Sequence, residues 1–175
     1  MRTRIAAGLV SMLLVSPFAL APAFSAGGGG SDATPECEVG KVWDKEQNKC
    51  VTKSSELNQD DIYETGRKLA LAGRYGEAID ILSLAADKSD PRILNYLGYS
   101  HRKQGRVEVG LGYYEEALKA NPDYTLAREY MGEAYIQIGD VASAKGQLLE
   151  IEKRCGTGCA EYATLAKQID AYLDI

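Results

Sequence analysis

The chain has 175 residues, with 20 Lys+Arg against 25 Asp+Glu, one histidine, four cysteines, a formal net charge of −5 and 45% hydrophobic residues. An acidic chain repels phosphate backbones, so no nucleic-acid partner is expected. A single histidine rules out a multi-histidine metal centre and argues against a histidine-based triad.

Met1 to Arg4 carries two positive charges, Ile5 to Leu20 is almost free of polar groups, and small residues follow up to Ala26. Charged start, apolar middle and small-residue end predict a secretory signal over residues 1–26. Ala21-Pro22-Ala23 fits the cleavage rule, with Ala26 as an alternative end. The apolar run is too short, and too broken by Pro17, for a membrane anchor. Once cleaved, the chain is expected to be periplasmic or secreted, with no membrane insertion. Residues 27–34 open with a GGGGS run, the composition of a flexible tether, natural or engineered.

Four cysteines in an exported chain read as two disulfides, and short local loops favour Cys37–Cys50 and Cys155–Cys159. Residues 35–53 are predicted to form a small hairpin clipped by the first bridge, with Val42, Trp43 and Val51 as its apolar side. The pattern C-x2-G-x2-W-D-x5-C over 37–50 resembles the last part of small secreted chitin-binding modules, which carry more cysteines and more aromatic platforms. Trp43 either stacks on a ligand or plugs against the adjoining helices. Cys155-Gly156-Thr157-Gly158-Cys159 can close a bridge across a tight turn. The same spacing suits a soft metal or a redox pair, with Lys153 and Arg154 beside it. No histidine or methionine lies near it in sequence, and no metal or other cofactor is assigned.

From there the chain repeats. Gly98 and Gly132 lie 34 residues apart, as do Gly105 and Gly139, and Gly66 precedes Gly98 by 32. Helices are predicted over 58–72 and 75–87, 91–104 and 107–119, 123–138 and 141–154. Gly66, Gly98 and Gly132, with Ala78, Ala117 and Ala144, let paired helices approach closely. Gly73, Gly105 and Gly139 end the first helix of each pair in a left-handed turn. Asp90 or Ser89, then Pro91, suit one helix start, and Asp140 another. A seventh helix over 160–173 places Tyr162, Leu165, Ile169 and Leu173 on one face and caps the open end.

The shared spacing resembles the tetratricopeptide repeat (TPR) family. The segment from Pro91 matches its pattern at Leu97, Gly98, Gly105, Tyr114, Ala117 and Pro122, and departs at His101 and Gly110, where an aromatic and an alanine are usual. The segment from Thr125 matches at Met131, Gly132, Tyr135, Gly139 and Ala144, with Gly156 in place of proline. The resemblance implies an all-α, right-handed solenoid of about three helical hairpins over 57–175 (repeats about 59–90, 91–124 and 125–157, capping helix 159–174), preceded by the small disulfide hairpin.

It further implies a concave groove lined by the first helix of each pair. The exposed groove positions are expected to be Tyr63, Arg67, Asn95, Tyr99, Arg102, Glu129, Glu133 and Ile136. Arg67, Asn95 and Arg102 would receive a carboxylate, Tyr63 and Tyr99 would stack, and Glu129 and Glu133 would make one end acidic. Some TPR proteins hold a terminal carboxylate in a Lys/Asn/Arg clamp. Here Tyr63, Tyr96, Leu126 and Tyr130 occupy the clamp's places. The expected function is therefore a non-enzymatic, exported adaptor that holds a protein or peptide and assists assembly of a bacterial envelope complex. The alternatives are a metal or thiol carrier using Cys155 and Cys159, and a glycan or cell-wall binder using Trp43. No catalytic residues are assigned: Asp60-Asp61 and Glu115-Glu116 are adjacent, so on a helix they diverge.

Overall fold

The computed structural model describes residues 35–38, 41–52 and 58–174; the predicted signal and tether lie outside them. Two strands, β1 (Lys41–Asp44) and β2 (Lys49–Thr52), precede seven helices: α1 (Gln59–Leu71), α2 (Tyr75–Leu82), α3 (Pro91–Lys103), α4 (Val107–Ala120), α5 (Thr125–Gln137), α6 (Val141–Cys155) and α7 (Ala160–Leu173). Among these described residues no helix is long and apolar enough to cross a membrane.

The helices begin and end on local chemistry. Asn58, Asp90 and Asp140 each accept a hydrogen bond from the first turn of α1, α3 and α6, satisfying donors that have no partner within the helix. Gly73, Gly105 and Gly139, at φ of 78°, 83° and 80°, close α1, α3 and α5. The next backbone N–H then bonds back to Leu69, His101 and Tyr135. Side-chain-bearing residues disfavour that conformation, so the three glycines set where each hairpin reverses.

Helix α2 is shorter than the 75–87 predicted. It stops at Leu82, where the Ser83 hydroxyl bonds to the Ile79 carbonyl at 2.6 Å. The side-chain amide of Gln59 on α1 then pairs with the backbone of Asp87, donating to its carbonyl at 2.9 Å and accepting from its N–H at 3.2 Å. Ala85 stays buried in the non-helical connection, so the apolar period runs past the helix that suggested it.

The hairpins stack through close approaches. A Cβ on Gly66 would lie 2.4 Å from Leu82, and one on Gly98 2.7 Å from Tyr114. Gly110, where the repeat pattern has alanine, faces Gly98: a Cβ there would lie 2.9 Å from the Gly98 carbonyl oxygen and 3.1 Å from the Arg102 Cβ. The second glycine lets α4 lie closer to α3 and leaves room for Arg102. In the third pair the seat at Gly132 is filled from elsewhere, by Leu165 of α7, 2.5 Å from where a Cβ would stand. The capping helix therefore supplies a core side chain as well as a polar outer face.

The core follows in three steps: Ile62, Ile81, Leu82, Ile93, Tyr96 and Leu97, then Val107, Tyr114, Met131 and Ala134, then Ala144, Ile151, Leu165 and Ile169. His101 takes the place of the expected aromatic by stacking on Tyr113 with centroids 5.2 Å apart. Burial, helped by Arg106, holds its pKa below the ordinary value, which keeps the ring neutral enough to pack.

The hairpin is antiparallel, with Val42 opposite Val51 and Trp43 opposite Cys50. Asp44 Oδ1 accepts from the N–H groups of Glu46 and Gln47 at 2.9 Å, and Asn48 closes the turn at φ 49°. Because successive strand residues face opposite sides, Val42 and Trp43 cannot share one apolar face as the sequence suggested. Val42 enters the core with Ile62 and Ala70; Trp43 is half-buried on the other side. The Cys37–Cys50 bridge is formed, and ion pairs from Arg74 to Glu36 (3.2 Å) and Lys45 to Asp61 (4.0 Å) join the segment to the first helical pair.

Candidate functional site

Helices α1, α3, α5 and α7 pack side by side and carry every residue expected to line the groove. Tyr96 and Tyr130, 34 residues apart, occupy equivalent places on α3 and α5, and their rings lie 6.4 Å apart edge to face. Tyr63 joins Tyr96 at 5.9 Å, and Tyr99 joins Tyr130 at 5.0 Å. Aromatic pairs at these spacings stabilise beyond their buried area. The result is a continuous sheet of rings across α1, α3 and α5, the first (A) helices of the three pairs.

Cations lie on those rings. The Arg67 Nε donates to the Tyr96 hydroxyl at 3.1 Å. The Arg92 guanidinium stands 4.8 Å over Tyr63, and the Lys103 ammonium 5.6 Å over Tyr99. Arg92 is also committed to Asp90 and Asp60, both at 2.8 Å. Those bonds hold its pKa above the usual value.

Toward α7 the rings give way to charge. Arg102 is 5% exposed, donates to the Tyr114 hydroxyl and pairs with Glu133. Glu133 in turn accepts from Gln168 of α7 at 2.6 Å. Burial works against the Arg102 charge, but Tyr114 and Glu133 outweigh it and hold its pKa high. One helical turn from Glu133, Glu129 has no such support. It is 8% exposed, and among the described residues none donates it a hydrogen bond. Burial first, then Glu133 and Glu161, push its pKa up to about 7, against the pull of Arg102.

Of the eight groove residues expected from the sequence, Tyr63, Tyr99, Glu133 and Ile136 are half-buried and Arg67 is exposed. Asn95, Arg102 and Glu129 are buried, which corrects the expectation that they are open to a ligand. Asn95 is fully enclosed, with neither amide atom bonded. Arg102 already has its carboxylate in Glu133. Sequence reasoning placed Tyr96 and Tyr130 at clamp positions of the groove without counting them among its lining residues, and it missed Lys103.

Cys155 and Cys159 are joined. With Glu161 they bring three ligand atoms within 4.8 Å of one another, but both sulfurs are bonded to each other, so no thiolate is present to ligate a soft metal. The bridge spans the turn between α6 and α7.

Residues 96–157 match the family model described as tetratricopeptide repeat. That stretch is a TPR segment. No curated protein matches it in sequence. Among solved structures, the chain is similar to the first TPR of Spaghetti (RPAP3) bound to the HSP90 peptide SRMEEVD, at 21% identity and a TM-score of 0.58, covering 67% of this chain and 94% of that one. It is similar to the Yersinia enterocolitica type III secretion chaperone SycD in complex with a peptide of the translocator YopD, at 18% identity and TM-score 0.55, covering 66% and 88%. The Sgt2 TPR domain of Aspergillus fumigatus aligns at 20% identity and TM-score 0.58, covering 66% and 77%. At these identities the likeness is one of fold.

Proposed function

We propose that this protein is an exported, non-enzymatic adaptor that holds a segment of a protein partner along its A-helix face and assists assembly of a bacterial envelope complex. The observation that carries the reading is the half-open ring sheet of Tyr63, Tyr99 and Tyr130 with exposed Arg67 beside it. Rings and guanidinium groups of this kind are enriched where proteins meet. Two of the similar structures are of proteins bound to peptides, which supports the same use of the face here. The partner is not a terminal-carboxylate tail, because tyrosines and a leucine stand where the clamp needs lysine, asparagine and arginine. Export is supported by the leader sequence and by two disulfides in one chain.

Two experiments test it. A random peptide display library is panned on the purified protein, and enriched peptides are measured against Tyr99→Ala and the convex-side Glu116→Ala. At least a tenfold loss with Tyr99→Ala alone is expected; no enrichment, or equal binding by all three proteins, overturns the groove. Residues 1–26 fused to leaderless alkaline phosphatase should give active periplasmic enzyme, and an inactive cytoplasmic fusion overturns export.

A further inference from the structure

Glu129 is a buried carboxylate of this face that has no donor among the described residues. A carboxylate this buried ordinarily collects two or three donors, because an unpaired charge in a low-dielectric site is costly. Glu133, one turn along α5, has them: Arg102 on one oxygen and Gln168 on the other. Glu129 has none among the described residues, and the charged groups that face it are Glu133 on its own helix, Glu161 at the start of α7 and Arg102 on α3. Three carboxylates meet one guanidinium, and that guanidinium is already spent on Glu133.

We propose that this end of the concave face, at Glu129 with Glu133 and Glu161, is the seat for one basic side chain, a lysine or arginine, of the bound segment. The inference rests on the groove reading above and names what the groove selects. A metal ion fits poorly: among the described residues only Cys155, Cys159 and Glu161 bring three ligand atoms within 4.8 Å of one another. An ammonium or guanidinium on a long stem fits well, because it can reach the Glu129 carboxylate and leave the Arg102–Glu133 pair untouched. The tyrosine rings leading up to the acidic end give that stem an apolar approach.

The seat also predicts a pH signature. Glu129 is partly protonated near neutrality; an arriving cation favours its charged form, so binding releases a proton. The probe is a synthetic copy of the tightest panned peptide, with a second copy carrying norleucine at its basic position. Wild-type protein should bind the basic peptide at least tenfold more tightly than the norleucine one, and more tightly at pH 8 than at pH 6. Glu129→Gln should remove both differences while still binding the norleucine copy, which verifies its fold. Glu161→Gln, at a more open position, should weaken the basic peptide a few-fold. Peptides enriched without a basic residue, or affinity unchanged in Glu129→Gln, overturn the seat and leave the groove standing; failure to enrich any peptide overturns both.

Discussion

The first and last thirds of the helical stack use one frame and fill it differently. Around α1 and α3 the face carried by the odd-numbered helices is closed by rings, with cations resting on them. Around α5 and α7 it is closed by Glu133 and Gln168, with Arg102 reaching across from the end of α3. The glycine seats differ in the same way. The nearest atoms at Gly98 are the Tyr114 ring and the Gly110 carbonyl, those at Gly132 the side chain of Leu165. A repeat pattern therefore fixes where helices meet but not what fills the space, and the two fillings should fail under different insults.

The largest difference is expected at the arginines. Arg102→Ala leaves Glu133 buried beside a gap and should cost about 3–5 kcal/mol, whereas Arg67→Ala, at an exposed site with one phenol contact, should cost about 0.5–1 kcal/mol. Urea unfolding of both variants measures this, and equal costs would abolish the contrast. Next come the glycines. Gly98→Ala presses against a ring and a backbone oxygen and should lose about 3 kcal/mol, while Gly132→Ala presses on the end of a leucine side chain and should lose about 1 kcal/mol. Thermal melts followed by circular dichroism will rank them; the reverse order would mean that the capping helix is the stiffer partner.

The smallest effect is a matter of pH. Glu129 has its pKa raised to about 7, so its contribution to stability is fully present below the unfolded carboxyl value near ~4.3 and is lost as pH rises through about 7. Between pH 5 and pH 8, wild type should lose about 1–3 kcal/mol relative to Glu129→Gln. His101, with its lowered pKa, contributes with the opposite sign in both proteins and cancels in the difference. A flat difference would mean that Glu129 is solvated like any surface carboxylate.

Much of the frame was legible in residue spacing. Glycines at fixed intervals mark the reversals, Asp90 and Asp140 mark helix starts, and two close cysteine pairs mark the bridges, because each is a local decision made within a few residues. Exposure was not legible in the same way. Repeat position placed Asn95, Arg102 and Glu129 on the right face, yet each is buried, because depth depends on side chains about thirty residues away. Helix α2 was overrun for a related reason: the backbone of Asp87 is claimed by Gln59, a contact invisible from within the helix. The pleat decided the hairpin, where alternation separates Val42 from Trp43 whatever their shared hydrophobicity.

Helix α7 brings Leu165 to the seat at Gly132 and Gln168 to Glu133. During synthesis, α5 therefore emerges with a hole in its flank and an acid short of one donor. Both faults persist until the ribosome has added some thirty residues more. A product truncated before Ala160 would present that unfinished surface to proteases and chaperones, so the third repeat matures only in company with the segment that follows it.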